Sequence, residues 1–363
     1  MPIPQMTNAQ NSKNDEFYTQ YLDIEKEIMA YLDFDSDAFL GKTILLPCDD
    51  PEWSNFTKFF AQNFERFGLK KLISTSYAPE SKTYKSKYQP TLFEINDPQF
   101  DESKTIANGK IFTLTHDKSG DGKIDVNDLE WKYLDGDGDF KSEEIKKLRD
   151  EADIIITNPP FSLFREFLTW ILDSNKKFVI IGNMNAISYK EVFPLIKNNE
   201  IWLGAGKNDG RNVWYEVPEN YESYHKEDEG KKYAFVAGTI WFTNLDHGRR
   251  HKPIDLMSEA DIIKFVTKKP FDKYENYDAI EISKVKQIPS DYKGIMGVPI
   301  SFLSKYSPEQ FDIIWQASGN TRASAPIEIL KTLNYCPNPQ DKGGGAIVDG
   351  KMKFGRILIK HKI

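Results

Sequence analysis

Short apolar runs alternate with amphipathic segments over the first two hundred residues of the chain. Ile24, Ile28 and Leu32 recur at intervals of four, which predicts a helix with one apolar face. Three short runs are almost wholly apolar: 42–46, 152–157 and 177–182. Such runs are typical of strands whose sheet is covered on both faces. Because helical segments separate these runs, the order of elements predicts a doubly wound α/β sheet.

The pattern of residue types changes beyond residue 200, where aromatic residues, glycines and prolines are scattered among shorter apolar runs. We therefore expect three parts: a flexible N-terminus over 1–14, an α/β domain over 15–245 and a second region over 246–363. The polar segment 79–108 is interpreted as an insertion or a long loop.

Composition excludes several classes of protein. Aromatic residues make up 13% of the chain, whereas disordered chains are poor in them. The sequence has no apolar stretch long enough for a transmembrane helix, and its N-terminus lacks the apolar core of a signal peptide. The two cysteines, Cys48 and Cys336, cannot form a disulfide framework. We expect a cytoplasmic protein that does not contact membranes and acts as a monomer.

Charge is distributed unevenly along the chain. The net charge is −7, with −10 in residues 1–200 and +3 in residues 201–363. Cations gather in the segment 247–253 and in the last thirteen residues, which contain no acid. Contacts with phosphate are therefore expected mainly in the C-terminal part. The candidate phosphate-binding residues, which would contact a nucleic acid, are Arg249, Arg250, His251 and Lys252.

The segment 153–161, DIIITNPPF, combines a buried strand with a rigid polar turn. Ligands of open α/β sheets bind at the carboxyl ends of strands, where this turn is predicted to lie. Two prolines remove backbone donors and expose carbonyl groups. An amide oxygen of Asn158 and a proline carbonyl could accept both hydrogens of an exocyclic amine, while Phe161 stacks on its ring. We predict that Asn158, Pro159, Pro160 and Phe161 form a catalytic loop.

This segment resembles the Asn/Asp-Pro-Pro-aromatic motif of S-adenosylmethionine-dependent amino-methyltransferases. The stretches NDEFYTQ, LLPCDDPEWSNF, LISTSY and GDGDFKSEE, in this order, resemble adenine-specific DNA methyltransferases of the EcoRI modification methylase family. The resemblance implies a Rossmann-like methyltransferase domain followed by a C-terminal target-recognition region. It also implies S-adenosylmethionine as the methyl donor and double-stranded DNA as the substrate, and it suggests a cognate restriction endonuclease as a partner.

The resemblance further assigns residues to the methyl donor. Near the N-terminus and after the first strand, the implied donor contacts are Phe17, Tyr18, Thr19, Pro47, Cys48, Asp49 and Asp50. Asp139 and Phe140 occupy the place of the acid–aromatic pair that holds the donor's adenine. The usual Gly-x-Gly after the first strand is missing. The second strand ends in Tyr77 rather than in an acidic residue, so the group that binds the ribose stays open.

The implied reaction is methyl transfer to the N6 amine of adenine after the base is flipped out of the duplex. Methylation of RNA or of a protein glutamine amide is an alternative, since similar motifs serve those substrates.

A calcium-binding or DNA-binding protein with an inactive methyltransferase fold is a second alternative. Calcium-loop positions 1, 3, 5, 6, 9 and 12 match Asp117, Ser119, Asp121, Gly122, Asp125 and Asp128. However, the twelfth position is not glutamate, and the preceding segment is predicted to be a strand. We therefore predict an acidic turn here and no metal site.

Overall fold

The computed structural model describes residues 19–48, 54–78, 98–206, 213–217, 224–228 and 230–362. The chain divides into two compact units, residues 1–183 with 211–246 and residues 184–210 with 247–363. The functional boundaries predicted after residues 14 and 245 stay predictions.

The helices of the described residues are α1 (Tyr21–Leu32), α2 (Asn55–Gln62), α3 (Glu102–Ala107), α4 (Glu143–Glu151), α5 (Phe164–Leu172), α6 (Phe193–Lys197), α7 (Glu259–Ile262), α8 (Thr321–Ser324) and α9 (Ile327–Thr332). Strands in the first half are β1 (Thr43–Leu46), β2 (Lys71–Thr75), β3 (Lys110–Leu114), β4 (Glu130–Tyr133), β5 (Ile154–Thr157), β6 (Lys177–Asn183) and β7 (Trp202–Leu203). Those that follow are β8 (Val213–Val217), β9 (Lys226–Asp228), β10 (Lys231–Val236), β11 (Thr239–Thr243), β12 (Ala279–Glu281), β13 (Ile295–Pro299), β14 (Phe311–Ala317), β15 (Ile347–Val348), β16 (Lys351–Met352) and β17 (Arg356–His361).

The first unit contains a large mixed sheet in which seven strands follow the order β4–β3–β2–β1–β5–β6–β11. The four strands β2, β1, β5 and β6 run parallel. The strands β3, β4 and β11 join the sheet antiparallel to their neighbours. The order reverses at β1, because β2 lies on one side of it and β5 on the other. In open α/β sheets, ligands bind beside such a reversal, at the carboxyl ends of the strands.

Both faces of this sheet are covered, as the near-continuous apolar runs predict. Ile44 belongs to an apolar cluster that includes Ile24 and Ile28 of α1 and Phe59 of α2. The next residue of the strand, Leu45, points to the opposite face and is equally buried. The predicted helix with the four-residue repeat is confirmed, and it covers one face of the sheet with its apolar side.

Hydroxyl side chains begin two of the helices next to the parallel strands. The Ser54 hydroxyl accepts a hydrogen bond from the N–H of Phe56 at 3.0 Å at the start of α2. The Ser142 hydroxyl accepts one from the N–H of Ile145 at 3.3 Å at the start of α4. Each cap accepts a hydrogen bond from a backbone N–H that has no partner within the helix. Such a cap stabilises the protein by about 1 kcal/mol. Both caps lie in segments that follow the ends of strands, so they fix where the connecting loops stop.

A small antiparallel sheet, β8–β10–β9, lies in the same unit. Its side chains alternate between two environments. Tyr215 and Val236 are buried together in a small apolar cluster, whereas Trp214 on β8 is exposed. This alternation is the ordinary two-residue period of a strand.

The second unit contains a four-stranded sheet in the order β12–β13–β17–β14. The strand β12 runs parallel to β13, and β17 runs antiparallel to both β13 and β14. The end of β13 therefore meets the beginning of β17, where Pro299 pairs with Arg356, and Arg356 also pairs with Ala317 at the end of β14. The hairpin β15–β16 immediately precedes this end of the sheet along the chain.

Candidate active site

Several predicted site residues of the first unit, together with Tyr77, lie at the carboxyl ends of the parallel strands. Pro47 and Cys48 follow β1, Tyr77 follows β2 by two residues, and Asn158 follows β5 directly. The ends of β1 and β2 are tied together, since the Thr75 hydroxyl donates to the Pro47 carbonyl at 3.2 Å. Residues far apart in sequence therefore share one edge of the sheet, next to the reversal of strand order.

The acidic loop 135–140 is fastened against the end of β2. The Ala78 N–H donates to the Asp137 carbonyl at 2.7 Å, and the Phe140 N–H donates to the Tyr77 hydroxyl at 3.3 Å. The Asp139 carboxylate accepts the N–H of Lys141 at 2.8 Å, which orients it. These contacts bring Asp139 to the same edge as Cys48 and Tyr77.

Phe140 is only 1% exposed, and its ring meets the rings of Phe167 and Trp170 of α5 edge-on at 5.1 and 5.7 Å between centroids. The ring therefore belongs to the core that supports the acidic loop. Its predicted place beside the donor's adenine stays a prediction.

Two glycines allow the acidic loop to approach the strand so closely. A Cβ on Gly138 would lie 2.3 Å from the Ser76 carbonyl oxygen, and one on Gly109 would lie 2.4 Å from the same atom. Gly138 also has a φ of +87°, which side chains with a Cβ rarely adopt. The motif GDGDF thus carries a glycine that the backbone requires directly before Asp139.

We expect Gly138→Ala to destabilise the fold by about 1–3 kcal/mol, because it adds backbone strain and a clash with the Ser76 carbonyl. If Asp139 holds the donor's adenine as predicted, the variant should also bind S-adenosylmethionine more weakly, because the strained position directly precedes Asp139. Thermal unfolding and calorimetric titration with the donor measure the two effects. Gly136→Ala is the matched control: its Cβ would meet no atom within 4 Å among the described residues. Equal donor affinity in both variants would contradict this placement of the loop.

Tyr77 also lies at this edge of the sheet, although the sequence analysis did not select it as a site residue. Burial raises the pKa of its hydroxyl well above the ordinary value, and the nearby Cys48 and Asp139 raise this pKa further. Tyr77 therefore keeps its proton at neutral pH and can donate a hydrogen bond at the edge of the sheet. Its signal in the sequence was its place after the second strand, where an acidic residue was expected.

The predicted catalytic loop lies where the sequence placed it. Asn158 is half-buried, Pro159 is buried, and the Pro160 carbonyl accepts the N–H of Leu163 at 2.9 Å. This bond closes a short 3₁₀ turn, Phe161–Leu163, which leads into α5. Since the turn occupies the Pro160 carbonyl, Pro159 is the proline whose carbonyl we consider as an acceptor for a substrate amine.

Directly after the predicted catalytic loop, the start of α5 packs tightly against β6. A Cβ on Gly182 would lie 2.4 Å from the Phe164 ring, so only a glycine permits this approach. Phe161 itself is half-buried and packs against the apolar cluster of Tyr215 and Val236. The small sheet β8–β10–β9 therefore supports the aromatic residue of the predicted catalytic loop, a contact that the sequence did not indicate.

The remaining predicted donor contacts are only partly described. Phe17, Tyr18, Asp49 and Asp50 lie outside the described residues. Thr19 is buried, and its carbonyl accepts a hydrogen bond from the Asn55 side chain at 2.8 Å. Asn55 opens the helix that follows the loop after β1. This bond holds Thr19 beside the start of α2.

The predicted DNA-binding residues have partners within the second unit. The Arg249 guanidinium donates to the carbonyls of Ala205 and Gly206 at 2.9 Å each. Arg250 donates to the Asn199 side chain at 3.1 Å and stacks on the Trp202 ring, 3.9 Å from its centroid.

The other two members of this basic segment differ from each other. His251 contacts Glu309 at 2.7 Å, whereas Lys252 is exposed. Three of the four predicted residues thus have partners in their own unit: Arg249 contacts backbone carbonyls, while Arg250 and His251 contact side chains. The contact of this segment with DNA stays a prediction.

The acidic stretch 117–128 is a turn in which carboxylates accept backbone N–H groups. Buried Asp128 accepts the N–H groups of Lys118, Ser119 and Asp125 at 2.8–3.0 Å. Hydrogen bonds from Asp125 and Ser119 lower the pKa of this carboxyl. A 3₁₀ turn, Val126–Asp128, follows in place of the exiting helix of a calcium loop. Within the described ranges, no group of three or more acidic, histidine or cysteine side chains is placed to hold a metal ion.

The comparisons with known proteins give the class of this chain. The family described as adenine-specific methyltransferase EcoRI matches residues 5–362, so the chain belongs to this family. The protein is accordingly an adenine-specific DNA methyltransferase, and the family implies S-adenosylmethionine as the methyl donor.

Individual relatives cover nearly the whole chain. The chain is 41% identical to the Type II methyltransferase M.EcoRI of Escherichia coli over 98% of this chain and 95% of the relative. It is 32% identical to the Type II methyltransferase M.MpnI of Mycoplasma pneumoniae, over 98% and 97% of the two chains. The Type II methyltransferase M.MgeORF184P of Mycoplasma genitalium is also 32% identical, over 98% of each chain. No solved structure matches significantly.

In the part of the chain that the structure describes, none of the helices combines the length and the apolar character needed to span a bilayer.

Proposed function

We propose that the protein transfers a methyl group from S-adenosylmethionine to the N6 amine of an adenine that is flipped out of a specific site in duplex DNA. The observation that carries the proposal is the position of Asn158–Phe161 directly after β5, beside the reversal of strand order. The target amine lies inside the double helix, so the base has to leave the stack to reach this loop.

We further propose that the first unit is a Rossmann-like donor-binding domain. Cys48 and Tyr77 follow parallel strands, and hydrogen bonds hold the loop that contains Asp139 against the segment after β2. In this proposal the carboxylate and the hydroxyl at this edge bind polar groups of the donor. Within the described residues, the buried Thr19 hydroxyl has no hydrogen-bond partner, and such an atom suits the polar methionine end of the donor. When bound, the donor supplies the electrophilic methyl group.

The catalytic loop acts on the amine through two acceptors. In this proposal the amide oxygen of Asn158 and the carbonyl of Pro159 each accept one amine hydrogen. These bonds direct the nitrogen lone pair toward the methyl group and stabilise the positive charge that develops on the nitrogen. Phe161, held by Tyr215 and Val236, stacks on the base. The amine loses its proton after the attack, so no buried general base is required.

The family's adenine specificity favours this function over methylation of a glutamine amide. To test it, the purified protein is incubated with genomic DNA, structured RNA and S-adenosylmethionine, and the digested nucleosides are analysed by mass spectrometry. We expect N6-methyladenine in the DNA digest. Methyl groups found on a ring nitrogen of adenine, on cytosine or only in RNA would overturn the proposal.

We propose that residues 246–363 form the target-recognition region and that the protein acts as a monomer. A cognate endonuclease that cuts the same site is a further proposed partner, because the relatives are Type II methyltransferases. Long-read sequencing of DNA from cells that express the protein, read for modified adenines, identifies the recognition site.

If the basic segment Arg249–Lys252 contacts phosphate as predicted, replacing Arg249 and Arg250 with alanine should lower the slope of log affinity against log salt by about 1–2. Binding isotherms at several salt concentrations measure the slope. An unchanged slope combined with lower thermal stability would show instead that the guanidinium groups only hold Ala205, Gly206 and Asn199.

A further inference from the structure

Phe354 is the most exposed large apolar side chain of the described residues, at 79% of its surface. It lies in the turn between β16 and β17, and the backbone of this turn is held on both sides. The Lys353 N–H donates to the Ala346 carbonyl at 2.8 Å, and the Arg356 guanidinium donates to the Phe354 carbonyl at 2.7 Å. The ring is therefore presented to solvent by a backbone that has little freedom.

A buried ion pair anchors this turn to the sheet. Arg356 contacts Glu281 through Nη2 at 2.7 Å and Nε at 3.0 Å, and the Tyr274 hydroxyl donates to the same carboxylate. Gly355 completes the close fit, because a Cβ there would lie 3.2 Å from the Ile300 side chain. A group held in this way loses little conformational entropy when it binds.

Cations flank the exposed ring. Lys351 is exposed and Lys353 is half-buried, and neither takes part in an ion pair within the described part of the chain. The segment from Lys351 to Arg356 contains no acidic residue. An apolar side chain buried against another protein would not need this excess of positive charge. A polyanion with flat apolar faces matches both features.

We propose that this turn, residues 351–356, is a DNA-contacting tip on which Phe354 inserts its ring between neighbouring base pairs while Lys351 and Lys353 contact phosphates. Apolar wedges of this kind unstack a base step, and stacking on an aromatic ring tolerates any base. The inference rests on the DNA substrate proposed above and adds the element that deforms the duplex.

A matched control exists in the same unit. Phe265 is also exposed, at 61%, and the ammonium group of Lys264 lies 4.9 Å from its ring centroid. Its helical segment is fastened to the opposite end of the sheet, because the Glu259 N–H donates to Asp291, which precedes β13. Phe354 lies instead where β13 ends. Phe265→Ala therefore removes an equivalent exposed ring at a different place.

The experiment measures the affinity of the full-length protein for a fluorescein-labelled duplex that carries its mapped methylation site. Phe354→Ala should weaken binding about 10- to 100-fold, the range for loss of one base–aromatic stack. Phe354→Trp should retain most of the affinity, and Phe265→Ala should match the unchanged protein. Thermal unfolding is recorded for each variant, and we expect no change for Phe354→Ala because its ring is exposed.

A second readout tests insertion itself. Duplexes carry 2-aminopurine at successive positions beside the target adenine, and its emission rises where a base is unstacked. With the unchanged protein, we expect the 2-aminopurine emission to rise at one flanking position. With Phe354→Ala, the emission at that position should stay low. Replacing Lys351 and Lys353 with alanine should lower the salt slope by about 1–2 without moving that bright position.

Unchanged affinity and unchanged 2-aminopurine emission in Phe354→Ala would overturn the inference, while N6-methyladenine formation by the unchanged protein would leave the proposed function standing. Loss of self-association in sedimentation, with normal DNA binding, would instead assign the tip to contact with a second copy of the chain. Failure of the unchanged protein to bind or methylate any duplex would refute both proposals.

Discussion

Replacing Asn158 with alanine is expected to lower the single-turnover rate of methyl transfer about 10²- to 10³-fold. The change removes one of the two acceptors that we place against the target amine, and loss of such a group costs about 2.7–4 kcal/mol in the transition state. Asn158 directly follows β5 and is half-buried, so the substitution removes little packing. Rapid-quench measurements with saturating DNA and donor give the rate.

The conservative variant separates chemistry from folding. Asn158→Asp keeps an oxygen acceptor at the same place and should retain more activity than Asn158→Ala. Both variants should bind S-adenosylmethionine normally in calorimetric titration, because the donor contacts are proposed at Cys48, Tyr77 and Asp139. A single-turnover rate of Asn158→Ala within about threefold of the unchanged protein would remove Asn158 from the mechanism.

Replacing Glu281 with glutamine is expected to lower the free energy of unfolding of the second unit by about 3 kcal/mol. The side chains of Glu281 and Arg356 are 3% and 13% exposed, so the substitution leaves a buried guanidinium without its counter-charge. The Tyr274 hydroxyl would also lose a charged acceptor. Burial, together with Glu281, raises the pKa of this hydroxyl above its ordinary value, so it stays protonated as the donor.

Urea unfolding followed by tryptophan fluorescence measures the effect, analysed for two transitions because the chain has two units. Asp272→Asn is the control, since its ion pair with Lys269 is largely exposed and should contribute far less. The double replacement of Glu281 and Arg356 by leucine and methionine should recover much of the stability, as no buried charge remains. A loss below about 1 kcal/mol in Glu281→Gln would show that the pair does not anchor the turn before β17.

Local sequence patterns predicted the elements of the first unit well. The apolar runs of β1, β5 and β6 are strands, the segment before β1 forms α1, and segments between these strands form α2, α4 and α5. Consecutive residues that are buried on both faces of a sheet need apolar side chains at each position. These strands can therefore be predicted from the sequence without a structure. The rigid turn of the catalytic loop can also be predicted from its prolines, because proline restricts the backbone wherever it occurs.

Local sequence patterns do not predict the direction of a strand or the strands with which it pairs. The apolar pattern of β3 or β11 is compatible with either direction, and only the sheet shows that both join antiparallel. The close approach of Gly138 to Ser76 depends on two segments that are more than sixty residues apart. A glycine in an acidic stretch indicates a turn, but it does not say which backbone the turn must meet.

The sequence by itself determined the buried strands, the rigid Asn-Pro-Pro-Phe turn after β5 and the family to which the chain belongs, because each depends on residues that are close together along the chain. The tertiary structure alone decided which charged and aromatic side chains face their own protein. Arg249 meets the carbonyls of Ala205 and Gly206, whereas Phe354 remains 79% exposed on an anchored turn. A cation has the same charge beside a carbonyl as beside a phosphate, so only the folded arrangement of distant segments distinguishes the two.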